Sequence, residues 1–171
     1  MTARSIEDAR TQAQFFVSLI SGKQIDCRLA MDFESFGSLS RNQINEIALA
    51  YMDEVKRLSG KEVVVYSNTY DATYVFNSEV AREPLWVAQY GVSEPQDNGH
   101  WDNWVGYQYS STGRVSGISG NVDLDEFTKD ILLDTVEEVP DIEDPECNKE
   151  DRILYKVCLL YTSPSPRDKR Q

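Results

Sequence analysis

The sequence predicts an α/β fold, a parallel barrel or doubly wound sheet, on three observations. Four short apolar runs each end in polar or aromatic residues: Leu29-Ala30-Met31-Asp32-Phe33-Glu34-Ser35, Glu62-Val63-Val64-Val65-Tyr66-Ser67-Asn68, Pro84-Leu85-Trp86-Val87-Ala88-Gln89-Tyr90 and Asn103-Trp104-Val105-Gly106-Tyr107-Gln108-Tyr109-Ser110. Stretches with apolar residues at helical spacing precede the first and separate it from the second. That order, helix then strand then helix then strand, is the β/α alternation of such folds.

The elements follow in order. Ser5 starts a helix, with Asp8 as its reciprocal cap, and Ala9, Ala13, Phe16 and Ile20 carry the apolar face to a stop at Gly22. The first strand covers residues 28–34. A second helix has Ser40 as N-cap and Gln43 completing a capping box; Ile44, Ile47, Ala48, Tyr51, Val55 and Leu58 form its buried face and Gly60 ends it. Strands follow near 62–67, 85–90, 103–109 and 121–124, giving five strands of parallel type.

The first strand carries the chemistry. Residues i and i+2 of a strand project from one face, so Asp32 and Glu34 point one way while Met31 and Phe33 point the other. Two acids on one face at the C-terminal tip of a buried strand suggest a glycosidase-type pair. The competing reading is a strand that simply exits into solvent. At a spacing of roughly 7 Å and an effective dielectric near 20, two such charges repel by about 2.4 kcal/mol, enough to keep one protonated near neutrality. A metal-dependent hydrolase could instead use Asp32, Glu34 and Asp123 as oxygen ligands for magnesium, but the phosphate-binding Lys, Arg or glycine-rich loop it would want is not apparent.

From about Ser5 to Phe127 the chain resembles the C-terminal two-thirds of glycoside hydrolase family 25 lysozymes. The resemblance rests on an ordered set of motifs: QAQFFVSLISG, AMDFES, VVVYSN, LWVAQYG and WVGYQYSSTGRVSGISGNVDLDEF. It implies an incomplete (β/α) TIM-like barrel whose first three strand units are missing, among them the strand of Ile-Asp-Val-Ser type that supplies a further active-site aspartate. It implies a muramidase that cleaves the β-1,4 bond between N-acetylmuramic acid and N-acetylglucosamine, with peptidoglycan glycan strands as partner and no cofactor or metal. Glu34 is then the general acid and Asp32 supports positive charge at the sugar ring or orients the substrate acetamido group. Tyr66, Trp86, Gln89, Gln108, Tyr109 and Asp123 surround the pair as substrate-binding residues. An extracellular or cell-wall location follows, and the fragment itself is expected to be inactive. The alternative is a non-catalytic wall-glycan-binding domain, which would keep the aromatic groove and dispense with an acid such as Glu34.

Organisation and charge complete the reading. Residues 1–133 form the partial catalytic domain; residues 134–151, rich in Asp, Glu and Pro, read as an acidic linker; 152–157 read as the start of a truncated second domain. Residues 158–171 form an adapter-derived or disordered tail, since Cys158 to Asp168 resembles the translation of a transposase sequencing adapter. The chain has 17 basic and 29 acidic side chains, a net charge of −12; without 158–171, which hold Arg167, Lys169, Arg170 and Asp168, the balance is 14 against 28. Such acidity argues against nucleic acid as a partner. No segment reaches the roughly 18 apolar residues of a membrane span.

Overall fold

Ser5 and Ser40 start the two long helices by the same local chemistry. In α1 (Ile6–Ile20) the Ser5 hydroxyl accepts the Asp8 N–H at 3.1 Å. The Asp8 carboxylate accepts the Arg4 N–H at 2.9 Å, so the reciprocal bond falls one residue before the cap and not on the cap itself. The Gln12 side chain, followed by the Arg4 N–H, holds the Asp8 carboxyl below its ordinary pKa. In α2 (Arg41–Ser59) the Ser40–Gln43 capping box is complete, and Gly60 ends the helix in the left-handed region at φ 66° with its N–H on the Lys56 carbonyl. Ile44, Ile47, Ala48, Tyr51 and Val55 are buried as their spacing predicts, whereas Leu58, in the last turn, is 39% exposed.

The computed structural model describes residues 1–96 and 98–133; the expected linker at 134–151, second domain at 152–157 and tail at 158–171 lie outside the described residues. Five strands form one sheet in chain order: β1 (Leu29–Asp32), β2 (Val63–Asn68), β3 (Leu85–Ala88), β4 (Gly106–Gly113) and β5 (Val122–Phe127). A short helix, α3 (Thr69–Tyr74), follows β2 directly and is capped by Asn68, whose side chain accepts the Asp71 N–H at 2.9 Å. Six residues are too few for apolar periodicity to announce it.

The first three pairings are parallel, but β4 and β5 are antiparallel, which corrects the expectation of five parallel-type strands. The connection explains it. Eight residues separate Gly113 from Val122, and Gly117 and Gly120 turn the chain at φ 88° and 104°. A parallel return needs a crossover of roughly a dozen residues or more. Beyond β5 the chain passes beneath β1, where Arg28 N–H reaches the Ile131 carbonyl and Leu133 N–H reaches the Asp26 carbonyl, each at 2.8 Å. The sheet is therefore curled.

Side-chain alternation divides the core between the two faces. Leu29, Met31, Val63, Val65, Leu85 and Val87 pack on the helix side against Ala9, Ala13, Ile44, Ile47 and Val55. Each buried aliphatic side chain there contributes roughly 1.5–3 kcal/mol. The inner face, away from the helices, holds a smaller cluster of Val64, Val105, Phe127 and Ile131, with Ala30 and Trp86 packed against it.

Candidate active site

Strand register lays out the inner face as rows. Asp32 pairs with Tyr66, Tyr66 with Trp86, Trp86 with Gly106, and Gly106 with Phe127. Neighbouring strands lie about 4.8 Å apart, so this row crosses the whole sheet from an exposed carboxylate to a buried ring. The next row holds Asn68, Ala88, Gln108 and Asp125. Glu34 stands two residues beyond Asp32, past the end of β1, and is half-buried; Met31 and Phe33, at 0% and 1% exposure, point into the helix-side core. The Arg4 guanidinium donates to the Ser35 carbonyl, bracing the strand tip that carries both acids. Burial pushes the Tyr51 phenol up to about 12, and the nearby Asp32 charge adds to the rise.

A hydrogen-bonded network lies beside this row. The Tyr66 and Tyr90 hydroxyls donate to Gln108 Oε1 at 2.9 and 2.6 Å. Trp86 Nε1–H donates to Asp125 Oδ1 at 2.9 Å, and Gln108 stands opposite Asp125 in the strand pairing, close enough for its side chain to lower that carboxyl's pKa. The Trp86 ring meets Tyr66 edge-on at 5.1 Å and Phe127 at the same distance. Burial raises the Asp125 carboxyl to about 6; the Trp86 bond and the Gln108 side chain pull it down, while the Asp123 charge adds to the rise.

The expected site residues therefore divide. Tyr66, Trp86 and Gln108 come together, with Asp32 in register beside Tyr66 and Asp123 exposed on the same face of β5 as Asp125. Gln89 follows β3 and braces its loop, accepting the Gln96 N–H at 2.9 Å. Tyr109 stands on the other face of β4 from Gln108, its ring 6.1 Å from Tyr107 and packed against the helix-side core. Sequence reasoning missed Asp125 and Tyr90. The Asp-x-Asp spacing of Asp123 and Asp125, two positions apart on one strand face, was the available signal for the first. Among the described residues, no three His, Cys, Asp or Glu side chains are grouped to hold a metal ion. A pocket of about 470 Å³ lined by Gln96, Asn98, Trp101, Trp104 and Thr128 lies where the chain enters β4 and leaves β5.

Comparison with known proteins converges on one family. Residues 2–118 match the family model described as Glycosyl hydrolases family 25. An autolytic lysozyme of Clostridium acetobutylicum is 40% identical over 126 residues, which are 74% of this chain and 38% of that protein. Lysozyme M1 of Streptomyces globisporus is 37% identical over 90 residues, covering 51% of this chain and 29% of its own length. Among solved structures, the CTP1L endolysin superposes with a TM-score of 0.67 at 30% identity, over 76% of this chain and 45% of its own. The chain thus spans less than half the length of each of these three relatives.

Proposed function

The chain belongs to glycosyl hydrolases family 25, and from that premise we propose that it forms part of a peptidoglycan hydrolase of lysozyme type. The bond attacked is the β-1,4 link between N-acetylmuramic acid and N-acetylglucosamine. The observation that carries this reading is the inner-face row, in which Asp32 stands in register with Tyr66 and Trp86 while Glu34 lies just past the strand end. Glu34 protonates the leaving glycosidic oxygen. Asp32 offsets positive charge developing at the sugar ring or orients the acetamido group. Tyr66, Trp86, Gln89, Gln108 and Asp123 bind the glycan; Tyr109, on the other face, enters this reading only through packing.

The curled sheet is, on the same reading, one part of a (β/α) TIM-like barrel. Among the described residues β1 lies at the sheet's edge, paired with β2 alone, and the relatives extend well beyond the matched region. A barrel site is assembled from the ends of several strands, so residues 1–133 alone have little activity. The protein acts at the cell wall, outside the cell that makes it or released by a phage.

The test is Glu34→Gln in a longer version that supplies the rest of the barrel. Loss of a positioned general acid costs about 10²- to 10⁴-fold in rate while glycan binding persists. Mass spectrometry of digested peptidoglycan should show new reducing ends at muramic acid. Ends at glucosamine would make the enzyme a glucosaminidase, and undiminished activity of the variant would remove Glu34 from its role.

A further inference from the structure

The polar network on the inner face has a direction. Asp125 is 7% exposed, accepts the Trp86 indole N–H at 2.9 Å, and stands opposite Gln108 in the β4–β5 pairing; the Gln108 side chain also lowers its pKa. A carboxylate can only accept, so the Gln108 amide must turn its NH2 toward Asp125 and its oxygen away. That oxygen accepts both tyrosine hydroxyls, at 2.9 and 2.6 Å, so each phenol spends its one proton inward. Tyr66 and Tyr90 then meet any ligand as acceptors.

We propose that Asp125 is a positioning residue: acting through Gln108 and Trp86, it fixes Tyr66 and Tyr90 as hydrogen-bond acceptors for the N–H and O–H donors of an N-acetylated glycan. This rests on the glycan reading given above and deepens it by naming which ligand groups the site selects. Protonation of Asp125 adds a donor where only acceptors stood, frees the Gln108 amide to turn over, and removes the bias at both phenols. Asp125 titrates within reach of neutrality because it is buried and faces Asp123 along its own strand; Tyr66 from β2 and Tyr90 from the loop after β3 face it through Gln108, and Asp32 lies at the far side of the sheet. Glu126 projects to the other face, toward Tyr107.

The experiment uses the full chain with its three tryptophans labelled with nitrogen-15. The Trp86 indole N–H resonance should shift with pH about a midpoint near 6. That shift should vanish in Asp125→Asn, and its midpoint should fall in Asp123→Asn. The Trp101 indole, held on the Glu83 carbonyl at 2.7 Å, serves as the internal reference. The tetramer of N-acetylglucosamine is then titrated against the chain. Wild type should bind more tightly above the midpoint than below it, and Asp125→Asn should bind about tenfold more weakly at pH 7.5, the worth of one well-placed hydrogen bond. A Trp86 resonance indifferent to pH overturns the network without any variant being made. A variant that binds as tightly as wild type, with the same pH dependence, overturns the positioning role. Wild type that titrates at Trp86 yet binds no tetramer at any pH overturns the glycan reading, and Asp125 is then structural only.

Discussion

Trp86 lies directly against Gly106: a Cβ added at position 106 would stand 2.7 Å from the indole Cδ1 and 2.6 Å from the Phe127 ring. The absence of a side chain at the centre of the row is what leaves room for the indole against β4 and lets it reach Asp125 on β5.

Gly106→Ala should therefore act on the site as well as on stability. Neither ring can move freely, since Trp86 is tied to Asp125 and Phe127 is packed with Val64, Val105 and Ile131. Overpacking of this kind costs about 1–3 kcal/mol. The expected outcome is a lower Tm together with a changed Trp86 indole environment by fluorescence or NMR. An unchanged Trp86 signal would mean that the strand, and not the ring, absorbs the strain.

Asp125 makes stability depend on pH in an unusual direction for a carboxylate. Its folded pKa of about 6 lies above the ordinary 3.8, so between those values the folded chain holds a proton that the unfolded chain has released. Its contribution favours folding below about pH 4, declines as pH rises toward 6, and is level above that. A shift of about two units corresponds to on the order of 2–3 kcal/mol. Denaturant titrations at a series of pH values should show this decline in wild type and a flatter profile in Asp125→Asn. A steeper decline in the variant would contradict the assignment.

Glu54 has the opposite slope. It accepts from Arg57 twice, at 2.8 and 2.9 Å, and from Gln14 of α1 at 3.0 Å; the Arg57 bonds, then the Gln14 bond, hold it down to about 2 against an ordinary 4.5. Stability from this group is present above about pH 4.5 and lost as pH falls through 2. In Glu54→Gln the acid side of the Tm profile should flatten, and the two curves should converge near the bottom of that range. Curves that stay parallel would place the α1–α2 tie elsewhere.

What was legible in the sequence was local. Ser40, Gln43 and Gly60 announce α2 because each acts through backbone groups within one helical turn. The two faces of β1 follow from the alternation of Met31, Asp32 and Phe33. The direction of β5 was not read from the motifs, because it depends on the length of the Gly117–Gly120 turn and not on the strand's own residues. Asp125 escaped for a different reason: its burial and its partners are set by Trp86 and Gln108, each more than fifteen positions away and on separate strands. Tyr109 shows the same limit, since only the register of β4 decides that Gln108 and not its neighbour faces inward.

Phe33 joins the acid pair to the fold. It sits between Asp32 and Glu34 in sequence, is 1% exposed, and meets Phe36 edge-on at 5.0 Å. Phe36 meets Phe76 at 6.2 Å, and Phe76 meets Trp101 at 6.5 Å, so a chain of rings runs from the strand tip into the loop before β4. Phe76 is in turn held by the Asn45 side chain of α2, which donates to the Val75 carbonyl at 2.9 Å and accepts the Asn77 N–H at 2.8 Å. Phe33→Ala should cost about 3–5 kcal/mol, a full aromatic truncation in a closed core. Phe33→Leu, which keeps most of the volume, should cost far less. Hydrogen exchange reads whether the strand tip shares the damage: in Phe33→Ala the amides of residues 32–36 should lose protection before those of β2. If protection at the tip survives in the alanine variant, the Arg4 contact with Ser35, and not the ring chain, holds Asp32 and Glu34 in place.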